Sequence, residues 1–158
     1  MLADLWFWVS KGCSKKEKSM AIDKTKLAKQ FSEAIPHAKA LGIWLVNIGQ
    51  GTAEMGMPYN EKFIGDPATG VIHGGAVFAL LDGCCGAAVM SHPDQKGLTA
   101  TIDLRVDYMR PATPGQNIRA KATCYNVTRN VAFVRAVALD DNDDKPVATA
   151  AGAFVTGA

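Results

Sequence analysis

Between His73 and His92 the only charged side chain is Asp82, set in a run of Gly, Ala, Val, Leu, Phe, Cys and Met. An ionised carboxylate in such surroundings is costly unless a donor holds it, a proton neutralises it, or chemistry uses it. Asp82 is therefore either a structural carboxylate tied to a nearby donor or a general base or nucleophile tuned by its surroundings. The same run opens with His73-Gly74-Gly75. The first N–H groups of a helix lack internal partners, and the helix dipole there favours negative charge. Glycine lets a ligand approach that backbone closely. The combination suits a carbonyl oxygen that becomes an oxyanion, although a glycine turn entering a helix would look the same. Asp82 lies seven residues beyond Gly75, roughly 10 Å along a helix that rises about 1.5 Å per residue. That is too far for one Asp-activated water to reach a carbonyl held at the start of the same helix. A working pair needs Gly74 of one subunit and Asp82 of another on antiparallel helices, hence an obligate dimer with shared sites.

The elements that must carry these residues follow from periodicity. Leu27, Phe31, Ala34 and Ile35 recur at helical spacing over residues 24–36, with Pro36 as a stop. Two strands are expected at about 43–50 and 52–59, then a loop over 60–72 rich in turn formers. Residues 73–90 are apolar on nearly every side, as in a buried helix. Ile102, Leu104, Val106 and Tyr108 alternate with Thr101, Asp103, Arg105 and Asp107, the period of a half-buried strand. After a turn at 110–115, strands at about 116–127, 130–140 and 145–156 are joined by links short enough for antiparallel neighbours. The expected fold is α+β, an antiparallel sheet of five or six strands wrapped around one long helix. A single sheet covers only one side of that helix, so the other side calls for a partner subunit.

Composition narrows the function classes. The formal charge of +2 hides an asymmetry: residues 1–30 carry seven Lys against three acids, and the rest carries ten bases against twelve acids. The body lacks the concentrated basic face that nucleic acid requires. Residues 1–23 are expected to be an N-terminal extension and 24–158 one domain. No apolar run is long enough to span a bilayer, the start has no convincing export signal, and no stable membrane association is expected, although an amphipathic surface arm is an alternative use of the extension. Cys13, Cys84, Cys85 and Cys124 form no CxxC pair and no zinc spacing. They read as reduced thiols of a cytoplasmic protein, with Cys84 and Cys85 as small buried hydrophobes.

Val71-Ile72-His73-Gly74-Gly75, the Asp nine positions after His73, and the run Asp103 to Ala112 containing Tyr108-Met109-Arg110-Pro111 together resemble the hotdog-fold acyl-CoA thioesterases of the phenylacetate-pathway, PaaI-like branch. The likeness covers about residues 40–156. It implies a hotdog fold and a homodimer that pairs into a tetramer, with acyl-CoA as substrate and sites at the subunit interface. No metal or cofactor is expected, since coenzyme A belongs to the substrate. By this resemblance Asp82 activates water or attacks the thioester, the Gly74 N–H holds the thioester oxygen, His73 shapes the loop, and Gly75 contributes to binding the substrate. Thr101 occupies a position where some members place a hydroxyl near the attacking water; its alternative is a strand Thr chosen for β propensity. Many members carry Asn six residues before the His. Here that position is Pro67, with Asp66 beside it, so placement of the carboxylate or water passes to Asp66, or activity is weakened or lost.

Arg110 suits a CoA phosphate or a strand-end ion pair, and Arg129 has a weaker case of the same kind. Asp140, Asn142 and Asp144 mimic a calcium loop, but Lys145 replaces its Gly, so the run reads as a charged turn. Two rivals stand beside the thioesterase reading: a non-catalytic acyl-CoA-binding hotdog protein, and an enoyl-CoA hydratase using Asp66 and His73.

Overall fold

The computed structural model of the protein describes residues 35–95 and 97–157. The expected extension and the body of the helix expected over 24–36 lie outside them. At that helix's far edge the structure differs from expectation: Pro36 opens a helix, α1 (Pro36–Ala40), after an extended Ile35. Proline suits the first helical turn, where its missing N–H would have had no partner.

Strands β1 (Trp44–Ile48) and β2 (Thr52–Met57) form a hairpin, with Gly51 at φ 76° in the turn. The stretch read as loop holds more structure than expected. A 3-10 turn (Glu61–Phe63) leads into a small two-stranded sheet of β3 (Ile64–Asp66) and β4 (Val71–Ile72). Strands this short carry no legible alternation. Then come α2 (Gly74–Met90), β5 (Thr99–Tyr108), β6 (Ile118–Val127), β7 (Val131–Leu139) and β8 (Ala148–Thr156). The main sheet runs β1-β2-β6-β7-β8-β5, with every neighbouring pair antiparallel. This is the six-stranded sheet around one long helix that the hotdog fold requires.

The inner face of β6, β7 and β8 is rich in alanine: Ala120, Ala122, Ala136, Ala138, Ala148 and Ala150 are all buried. Small side chains there let the long helix lie close to the sheet. Into that floor α2 inserts Val77, Leu80, Leu81, Cys84 and Val89. Its opposite side stays open, with Phe78 39 % and Met90 53 % exposed. One face of the helix is thus left uncovered by the other described residues.

Strand β5 departs from its sequence pattern. Its register with β8 shifts between Thr101 and Asp103, a bulge at Ile102. Ile102 is 54 % exposed, while Thr101 pairs with the buried Phe154 and Leu104 with Gly152. Simple alternation placed Ile102 with Leu104 and Thr101 with the acids. The extra residue of the bulge reverses this and puts Thr101 on the helix-facing side.

Candidate active site

The start of α2 is fixed from three directions. The hairpin of β3 and β4 delivers His73, whose N–H donates to the Phe63 carbonyl at 2.7 Å. A Cβ on Gly65 would stand 2.8 Å from His73 Cα, so only glycine lets the hairpin pass this close. His73 then caps the helix, its Nδ1 accepting from the Gly75 N–H at 2.9 Å. An accepting Nδ1 puts the proton of the neutral ring on Nε2. From the end of β5, the Tyr108 hydroxyl donates to the Gly74 carbonyl at 2.6 Å. With the Gly75 N–H engaged and the Ala76 N–H donating to the His73 carbonyl, the Gly74 N–H has no partner among the described residues. It is the N–H that remains to hold a ligand oxygen.

Two turns along, Asp82 is half-buried on the open side of α2. Thr101 Oγ1 donates to its Oδ1 at 2.8 Å, a contact the Ile102 bulge makes possible. Asp82 borders a cleft of about 360 Å³ that is lined from α2 by Gly75, Phe78 and Ala79 and from elsewhere by Ile43 and Met55. A second cleft, of about 340 Å³, adjoins Gly74, Tyr108 and Met109. The two halves of the expected site are each well formed, but they lie at separate points along one helix. The thiols packed behind Asp82 are not reactive groups: burial pushes Cys84 up to about 12 and Cys85 higher still.

Two other expected site residues are engaged elsewhere. Asp66 Oδ2 accepts from Thr69 Oγ1 at 2.6 Å and its Oδ1 from the Ala68 N–H at 3.0 Å. These bonds hold the turn that contains Pro67 and lower the Asp66 pKa, the Thr69 hydroxyl most strongly. The Asp66 carboxylate thus faces its own turn, while His73 Nδ1 faces Gly75, so the two do not form an acid–base pair. Arg110 makes a bidentate pair with Asp140, both contacts at 2.7 Å. Its remaining N–H groups go to the carbonyls of Lys145 and Pro111. All five donors of the guanidinium are spent, which leaves none for a phosphate. Asp140, expected in a charged turn, is instead fully buried. It also accepts from Thr113 and Asn142, and Arg110 foremost holds its carboxyl well below the usual range. Nothing in the sequence marks Tyr108 for its contact with Gly74, although it lies in the Tyr-Met-Arg-Pro run.

A family model described as the thioesterase superfamily matches residues 69–147, half of the chain, from the turn before His73 through the Arg110–Asp140 pair. The chain belongs to the thioesterase superfamily. Within it, this hotdog thioesterase is similar to the medium/long-chain acyl-CoA thioesterase YigI of Salmonella typhimurium, at 26% identity over 144 residues, covering 83% of this chain and 92% of that protein. A Pseudomonas aeruginosa protein of known crystal structure is 36% identical with a TM-score of 0.72, covering 82% of this chain and 96% of that one. A mutant of the phenylacetic acid degradation protein PaaI from Thermus thermophilus is 26% identical with a TM-score of 0.68, covering 77% of this chain and 99% of that one. The thioesterase is thus a PaaI-like thioester hydrolase, and acyl-CoA thioesterase activity belongs to it at the level of the family. Among its described residues no helix is long and apolar enough to cross a membrane.

Proposed function

We propose that the protein hydrolyses a small or medium acyl-CoA, aromatic or aliphatic, at sites shared between two subunits of a homodimer that pairs further into a tetramer. The thioester oxygen sits on the Gly74 N–H of one subunit, and the partner subunit's Asp82 takes a proton from water. The water oxygen bonds to the carbonyl carbon, and the tetrahedral oxyanion is stabilised by the N–H and the helix dipole. The intermediate then collapses, the C–S bond breaks, and the Asp82 proton passes to the departing sulfur. Free acid and CoA thiol result. The step draws on water and the protein's own groups alone.

The bond from Thr101 to Asp82 is the observation that carries this reading. It occupies one lobe of one oxygen and orients the carboxylate, a placement that Pro67 cannot supply. The apolar cleft at Asp82 suits an acyl group. The names of the relatives support an acyl-CoA substrate, YigI being a medium/long-chain acyl-CoA thioesterase and PaaI a phenylacetic acid degradation protein. Buried free thiols fit a reducing, cytoplasmic setting. The test is thiol release across a panel of acyl-CoAs by wild type and Asp82→Asn. A folded Asp82→Asn variant is expected to lose about a hundredfold or more of kcat, the scale of a general base. Retention of most hydrolysis would remove Asp82 from the mechanism.

A further inference from the structure

The mechanism above leaves unused a side chain that touches its oxyanion-binding backbone. We propose that Tyr108 is a positioning residue for this site: its hydroxyl pins the Gly74–Gly75 peptide, so that the adjoining Gly74 N–H stays aimed at the thioester oxygen. The proposal rests on the role given above to Gly74.

A peptide group is a rigid plane, and this one is held at both ends. Its carbonyl accepts from Tyr108 Oη at 2.6 Å, and its N–H donates to His73 Nδ1 at 2.9 Å. The plane before it is held at its carbonyl, where His73 O accepts from the Ala76 N–H at 3.0 Å. Only its N–H, that of Gly74, is left open among the described residues. Glycine is the residue least able to hold such an orientation unaided, so a restraint from outside the helix adds to those of its own cap. Tyr108 supplies it and lies close over the glycine: a Cβ on Gly74 would stand 3.2 Å from both the Tyr108 hydroxyl and Cζ.

The tyrosine is itself anchored. It closes the β5–β8 ladder opposite Ala148, and the next two N–H groups, of Met109 and Arg110, both reach the Val147 carbonyl. Arg110 is then locked on buried Asp140. A rigid path therefore runs from the Asp140 pair through Arg110 and Met109 to the Tyr108 hydroxyl. Core packing does not explain the arrangement, because Tyr108 is 51 % exposed. Partial burial raises its pKa, which keeps the phenol protonated and donating. Donors to a developing oxyanion act through fixed placement, and small displacements cost rate rather than binding.

Tyr108→Phe keeps the ring and removes the bond. With acyl-CoA under saturation, kcat is expected to fall about tenfold to a hundredfold, within the range for a disturbed oxyanion donor, with KM nearly unchanged. Amide exchange at Gly75, followed by NMR, is expected to quicken while exchange in β6 and β7 stays as in wild type. A kcat within about twofold of wild type, on that same oxyanion scale, or Gly75 exchange equal to wild type, overturns the proposal. So does a variant whose only change is lower thermal stability. Asp82→Asn is assayed alongside. If it is inactive while Tyr108→Phe matches wild type, the shared-site mechanism stands and the positioning role falls. If Asp82→Asn stays active while Tyr108→Phe loses kcat and Gly75 protection, the water-activation reading falls and the positioning role stands. A wild-type protein that releases no thiol from any acyl-CoA overturns both.

Discussion

At the scale of single residues, the site depends on which lone pairs and N–H groups are left over. Asp82 spends one carboxylate position on Thr101, and in the proposed mechanism the rest serve the water. Removing the hydroxyl with Thr101→Val should leave the fold intact, since the residue lies on a strand where a β-branched side chain is favoured. Its kcat is expected to drop about tenfold, the lower end of what a misplaced base costs, with little change in KM. Steady-state thiol release on the purified variant checks this. An unchanged kcat would reduce Thr101 to a strand residue, the alternative its sequence position always allowed. Arg110 shows the opposite economy. A guanidinium whose five donors are all bonded is a structural cation, whatever its sequence context suggests.

At the scale of elements, the segment after β5 and the β7–β8 turn act as one buttress. Asp140 at the end of β7 gathers Arg110, Thr113 and Asn142 around one buried carboxylate. Asp140→Asn leaves the guanidinium without its counter-charge, a loss of about 3–5 kcal/mol for a broken buried pair. Urea unfolding monitored by circular dichroism measures it. The pH dependence follows from sign. Arg110 and the other donors depress the folded-state pKa of Asp140, so its stabilisation is complete above the ordinary carboxylate value of about 4. It is lost progressively as pH falls from there toward the folded-state value. The wild type should therefore lose stability in acid more steeply than Asp140→Asn, whose side chain does not titrate.

At the scale of the whole molecule, the uncovered side of α2 and the spacing of its two half-sites lead to the same place. Gly74 and Asp82 are roughly 12 Å apart along one helix, and Phe78 and Met90 face outward on it. Two antiparallel copies would cover both exposed side chains and bring each Gly74 to the partner subunit's Asp82. Mixing subunits tests this directly. Asp82→Asn and Gly74→Val should each be inactive as homodimers, yet a refolded mixture should recover about a quarter of wild-type activity. Half of randomly paired dimers are mixed, and each mixed dimer holds one intact site of two. No recovery from mixed dimers would place both residues of a site on one chain, or outside the mechanism.

How much of this was legible in the sequence depends on the range of the interactions. The apolar run broken by Asp82, the glycines after His73 and the alternation of the later strands are local patterns, and local patterns declare a helix, its start and the strands around it. They also led to an antiparallel sheet of five or six strands around the helix, of which the structure has six, and to the expectation of a partner subunit, because a helix apolar all round cannot be buried by one sheet. The sequence could not announce the bulge at Ile102, since an inserted residue leaves alternation looking intact while it turns Thr101 toward Asp82. Nor could it say that Arg110 is used up, because Asp140 lies thirty residues away and meets it only through the pairing of β5, β8 and β7. Tyr108 belongs with these. Its tie to Gly74 spans 34 residues and exists only because the end of an edge strand is folded against the start of the helix. Periodicity is set by neighbours along the chain and survives in the sequence; partners brought together across the sheet are chosen by the tertiary fold, and there the chemistry of this site was decided.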